Sequence, residues 1–145
     1  MIAAFSTPKN RIRTYLCLAI CGMAAFAAAR IGMADNLPGI LLAYVVAVSF
    51  VLAFVHSWCA ARQFRLLICM SIISLVFFVI LHNVFEALAH NSATGGVFQN
   101  LMQSLAVAAF FLATLICPAA FLVGVIGWVV MFMKCRRRRN FPIAP

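Results

Sequence analysis

Four long apolar stretches, separated by short polar or basic connections, constrain this chain more than any other feature of its sequence. A helix needs about 20 mostly apolar residues to cross roughly 30 Å of hydrocarbon, because each residue rises about 1.5 Å and every backbone group must be paired internally. The stretches that meet this length are residues 14–33, 39–59, 66–89 and 101–133. The sequence therefore predicts an all-α, polytopic membrane protein, a bundle of four transmembrane helices with short loops.

Composition excludes a water-soluble globule. Of the 145 residues, 67% are apolar and 9% are charged, whereas soluble domains carry roughly a quarter charged residues. No run of Ser, Pro, Gly or like charge is long enough to link two domains. We predict one transmembrane domain that ends in a basic tail over residues 134–145.

The net charge of +9 comes from basic residues at the edges of the apolar stretches. All of the eleven Lys and Arg residues except Arg30 fall on one side of the predicted bundle. Cytoplasmic loops carry such an excess, so both termini are predicted to be cytoplasmic, and a bacterial inner membrane is the expected location. The basic residues do not alternate with aromatic ones as in a single-strand binding groove, and we expect no nucleic-acid partner.

Aromatic residues agree with this orientation. In the predicted spans, Trp58 and Trp128 lie toward the cytoplasmic interface, and Tyr44 lies toward the outer one. Trp and Tyr are enriched at both membrane–water interfaces.

A cleaved secretory signal is the alternative interpretation of residues 1–34. A basic segment precedes an uncharged stretch, and the small residues Gly32, Met33 and Ala34 suit cleavage before Asp35. Cleavage would leave three spans and an N-terminus outside the cell.

Small residues at four-residue spacing predict where helices pack, because small side chains let backbones approach within a bilayer. We expect helix-packing roles for two stripes, Cys17, Cys21, Ala25 and Ala29 on the first span, and Ala109, Ala113 and Cys117 on the fourth. Pro118 removes a backbone donor near the middle of the fourth span and is the expected site of a bend.

One polar row falls on the third span. His82, Glu86 and His90 recur every four residues and share a helical face, and Asn83 lies beside them. Three interpretations stay open: a structural polar seam, a proton or ion pathway through Glu86, His82 and Asn83, or a metal site with His82, Glu86 and His90 as ligands. A metal would need further ligands that the sequence does not supply.

No recognisable catalytic group or cofactor motif is present. No Ser, Cys or Lys is arranged with a base and an orienting acid, and there is no glycine-rich phosphate loop. The cysteines lack CxxC spacing, and His56 and His82 lie at opposite depths, which disfavours a haem. We expect no cofactor and no enzymatic activity.

The basic tail offers a surface for anionic lipid or a cytosolic partner. The residues expected to form it are Lys134, Arg136, Arg137, Arg138 and Arg139. The leading hypothesis is a small non-enzymatic membrane subunit or regulator that forms a homo-oligomer or docks a membrane or cytosolic protein. The alternatives are a proton- or cation-coupled transporter or channel that uses Glu86 and His82, and a metal-binding membrane protein.

Overall fold

The computed structural model describes residues 7–32, 36–91 and 96–140, and these are helical almost throughout. The elements are α1 (Pro8–Ile31), α2 (Leu37–Val55), α3 (Ala61–Asn91), α4 (Val97–Phe111), a π-helical segment (Leu112–Ile116) and α5 (Cys117–Asn140). The predicted fold class, an all-α bundle, is confirmed: within these ranges, four helices are long and apolar enough to cross a membrane. The cleavage position before Asp35 in the alternative interpretation and residues 141–145 of the tail lie outside the described residues.

Local sequence signals account for both ends of α1. Thr7 is the N-cap, and its side-chain oxygen accepts a backbone N–H at 3.3 Å. Pro8 follows in the first turn, where no backbone donor is needed. At the other end Gly32 has a φ of 86°, and its N–H donates to the carbonyl of Ala28 at 2.9 Å. Glycine enters this left-handed region without the steric penalty of a Cβ, so the helix ends there.

The turn between α2 and α3 is placed differently from the predicted connection. α2 ends at Val55 instead of residue 59, and α3 begins at Ala61 instead of residue 66. The N–H of Ala60 donates to Oε1 of Gln63 at 3.3 Å, and the N–H of Gln63 donates back to the carbonyl of Ala60 at 3.0 Å. This reciprocal pairing satisfies backbone groups at a helix start. It extends α3 over the basic residues of the connection.

The fourth span is interrupted directly before Pro118. Over Leu112–Ile116 the helix widens to π geometry, and the N–H of Cys117 donates to the carbonyl of Leu112, five residues earlier. Pro118 has no N–H, so the carbonyl of Thr114 lacks its usual helical donor. The irregularity therefore lies just ahead of the residue at which the sequence predicts a bend, and π-bulges are among the known causes of bends.

In space the helices follow the order α1, α2, fourth span, α3. α1 packs on α2, α2 packs on the π segment and α5, and α3 packs along α4, the π segment and α5. Within the described residues, no Cα atom of α1 lies within 8 Å of a helix other than α2, and none of α2 lies within 8 Å of α3. The fourth span is thus the centre of the bundle, and α1 is at its edge.

Close packing of α3 on α5 depends on two glycines. A Cβ on Gly124 would lie 2.8 Å from Cγ1 of Ile68, and a Cβ on Gly127 would overlap the ring of Phe64. Phe64 is buried and meets Trp58 edge to face, with ring centroids 5.7 Å apart. Larger residues at the two glycine positions would therefore push α3 and α5 apart.

Thr14 joins α1 to α2. Its side chain is fully buried, and its hydroxyl lies 3.0 Å from the carbonyl of Asn10 and 3.3 Å from the carbonyl of Ala53. A hydroxyl that reaches across to a second helix stabilises helix pairs in a bilayer by roughly 0.6 kcal/mol on average. This contact fixes the start of α1 beside the end of α2.

Candidate functional site

The polar row on α3 faces α4 through His82. Nδ1 of His82 lies 3.0 Å from the carbonyl oxygen of Ala106, and Nε2 lies 3.5 Å from Oε2 of Glu86. The imidazole also packs at a tilt against Phe110, with ring centroids 5.4 Å apart. The side chain of His82 is 29% exposed and that of Glu86 is 53% exposed. His82 is therefore held on three sides, whereas Glu86 projects from the bundle.

The hydrogen-bond partner of His82 indicates which of its ring nitrogens carries a proton. A carbonyl oxygen only accepts, so Nδ1 carries a proton toward Ala106. Nε2, the other ring nitrogen, faces Oε2 of Glu86 at 3.5 Å.

The neighbouring polar residues do not extend this pair. The amide nitrogen of Asn83 donates to the carbonyl of Val79 on its own helix at 2.7 Å, and His90 is exposed. Across residues 7–32, 36–91 and 96–140, no three His, Cys, Asp or Glu side chains lie close enough to hold a metal ion. His90 therefore does not complete a ligand set with His82 and Glu86.

An apolar groove of about 510 Å³ opens between α1, α2 and the fourth span. Alanines form much of its lining: Ala25, Ala28, Ala29, Ala43, Ala47 and Ala108. The π segment contributes its larger side chains, including Leu112 and Leu115. Among the described residues, α1 packs on α2 alone, so the side of the fourth span next to α1 is not covered and the groove opens there.

The structure buries the predicted packing stripe of the fourth span and leaves part of the stripe on α1 exposed. Ala109 and Ala113 are buried, at 4% and 3% exposure. Pro118 is half-buried in α5. On α1, Cys17 and Cys21 are half-buried, while Ala25 and Ala29 are exposed and line the groove. The buried face of α1 instead consists of Thr14, Ala24 and Ala28.

Several residues that position the helices were not singled out from the sequence. Gly39, Ala43 and Ala47 form a buried stripe on α2, and their four-residue spacing is visible in the sequence. The hydroxyl of Tyr44 donates to the carbonyl of Thr114 at 3.2 Å. The sequence predicts Tyr44 toward the outer interface, but it did not predict this bond to a neighbour of α2; its acceptor, the carbonyl of Thr114, lacks its usual helical donor because Pro118 has no N–H.

The basic tail borders a second recess, of about 690 Å³. Lys134, Cys135 and Arg136 line it from α5, and Cys59 and Ala61 line it from the α2–α3 turn and the start of α3. The α5 helix continues over Arg137, Arg138 and Arg139 to Asn140. The recess lies at the basic end of the bundle, which is the end where α1 and α3 begin and α2 and α5 end.

Comparison of the chain with protein-family models, curated proteins and solved structures finds no match.

Proposed function

We propose that the chain is a small non-enzymatic membrane subunit that assembles with a second copy of itself through the side of the bundle formed by α1 and α2. The observation that carries this proposal is the open groove beside α1, since in the part of the chain that the structure describes α1 packs on α2 alone. We further propose that both termini lie in the cytoplasm of a bacterial cell, with the bundle in the inner membrane.

The outward side of α1 suits close approach of another helix. Gly22, Ala25 and Ala29 are exposed there, and a Cβ on Gly22 would meet nothing within 4 Å. Without a hydrophobic driving force between helices in lipid, small residues favour association by allowing close van der Waals contact. Phe26 stands on the same side at 70% exposure and can reach across to a partner.

Orientation limits how two copies meet. The excess of Lys and Arg at the basic end forces both copies to insert the same way round. Two copies related by a twofold axis along the membrane normal then bring their α1 helices side by side, so that each presents the same surface to the other. This isologous contact selects a second copy as the occupant of the groove.

Site-specific photocrosslinking tests the proposal. A benzophenone amino acid replaces Phe26, and in a matched control it replaces Phe77, which is 55% exposed on α3. Irradiation of native membranes is expected to give a covalent product of twice the chain mass from position 26 and little from position 77. Monomers alone, or equal products from both positions, would contradict the proposal.

A second candidate function is a proton- or cation-coupled transporter. It is favoured by the 3.5 Å contact between His82 and Glu86, because ionisable groups within membrane helices mark ion pathways by default. Proton flux into proteoliposomes tests it, with Glu86→Gln compared with the natural chain. Transport that is lost in the variant supports this function, whereas unchanged transport, or none in the natural chain, removes it.

A further inference from the structure

We propose that the recess at the basic end binds the headgroup and upper acyl chains of an anionic phospholipid. The inference is independent of the assembly proposed above, because the recess is lined by the α2–α3 turn, α3 and α5 and not by α1. It specifies one site for the anionic lipid, where the sequence alone indicated only the basic tail as a lipid-binding surface.

The lining matches an amphiphile in its arrangement. Lys134 and Arg136 both line the recess and supply two cations, and Met131 and Phe132 supply apolar surface less than one and a half turns earlier on the same helix. Ala61 is small and leaves space opposite them. A phosphate group near the cations therefore has room for its acyl chains along the apolar part.

The depth of the recess is that of the headgroups. Trp58 and Trp128 lie at this end of the bundle, and Trp residues concentrate at the membrane–water interface. Lys134 follows Trp128 on α5 and lies about 9 Å further along the helix axis. Its ammonium group is thus beyond the hydrocarbon and level with lipid phosphates.

Among the described residues, none supplies a counter-charge near these cations. It has eleven Lys and Arg residues and two acidic residues. Within the part of the chain that the structure describes, Glu86 is the sole carboxylate, and it lies about 38 Å from Ala61 along α3. Lipid phosphates are the anions that this depth offers, and each nearby Lys or Arg strengthens their binding.

Quenching of tryptophan fluorescence by brominated lipid tests the proposal, because the two tryptophans of the chain both lie near this end. The full chain is reconstituted in phosphatidylcholine vesicles that contain brominated phosphatidylglycerol or, at the same mole fraction, brominated phosphatidylcholine. We expect stronger quenching by the anionic lipid. Lys134→Gln with Arg136→Gln is expected to lower the preference at least fivefold, given roughly a factor of five for each charge near the surface.

A control variant separates this site from general surface attraction. Lys9→Gln with Arg13→Gln removes two exposed charges from the same end, on α1, and is expected to change the preference by less than about twofold because neither residue lines the recess. Lys134→Arg with Arg136→Lys keeps both charges and is expected to retain the preference for the anionic lipid. Equal quenching by the two lipids, an equal loss in the α1 control, or displacement by inorganic phosphate at constant ionic strength would overturn the proposal.

Discussion

The hydroxyl of Tyr44 on α2 donates a hydrogen bond to the backbone carbonyl of Thr114 at 3.2 Å. That carbonyl lacks its usual helical donor because Pro118, four residues later, has no N–H. An unpaired carbonyl is costly in hydrocarbon, and a neighbouring helix commonly satisfies it. The bond therefore couples α2 to the π-helical interruption of the central span.

This relationship predicts a non-additive double-mutant cycle. Tyr44→Phe is expected to lower the free energy of unfolding by about 0.6 to 1.7 kcal/mol, the range for interhelical hydrogen bonds in membranes. In a Pro118→Ala background the restored N–H can pair with Thr114, so the same change should cost less than half as much. Unfolding in mixed detergent micelles, followed by helical circular dichroism, measures all four variants. Strictly additive effects would contradict the pairing.

Gly127 predicts a second, steric effect. Gly127→Ala places a methyl group against the ring of Phe64 and is expected to destabilise the bundle by about 1 to 3 kcal/mol. The matched control is Gly22→Ala, measured where the chain is monomeric so that the proposed contact between copies does not contribute, and where the added methyl meets nothing within 4 Å. There the higher helix propensity of alanine is expected to leave stability unchanged or raise it by up to about 1 kcal/mol. The same unfolding assay compares them, and similar losses in both variants would show that α3 and α5 are not packed through Gly127.

Ala25 provides a prediction for self-association. Ala25→Leu fills the groove beside α1 and is expected to lower the dimer association constant in lipid at least about tenfold, because the helices can no longer approach closely. Ala87→Leu makes the same change at an exposed position on α3 and is expected to alter the constant by less than about twofold. Energy transfer between labelled copies at graded dilution in vesicles measures the constant. Equal effects of the two changes would place the interface elsewhere.

The fold class was predictable because length and hydropathy alone limit what an apolar stretch can do in a bilayer. The ends of the helices were less predictable. The end of α2 at Val55 and the start of α3 at Ala61 depend on hydrogen bonds in the turn, such as the one that Gln63 accepts from Ala60. The order of helices was not predictable. It depends on which surfaces fit, as Phe64 fits over Gly127, and hydropathy carries no such information.

The candidate site was also predictable only in part. Four-residue spacing on one helix was sufficient to place His82 and Glu86 together, because residues at that spacing share a face. The contact of His82 with the carbonyl of Ala106 was not predictable, since it joins two helices whose relative register comes from packing. The roles proposed for this pair and for the basic tail stay predictions.

The proposed self-association and the proposed lipid site both depend on one arrangement: four crossings, with the basic end of the bundle on a single side of the membrane. Labelling by a membrane-impermeant maleimide tests it most directly, in intact cells and in inside-out vesicles, on chains that retain Cys59 alone, Cys135 alone or an introduced Val97→Cys. Cys59 and Cys135 are exposed at the basic end, and Val97 is 87% exposed at the other end. Cys59 and Cys135 are expected to react only in the vesicles, and Val97→Cys only in intact cells. Labelling of Cys59 and Cys135 from opposite sides would contradict the account.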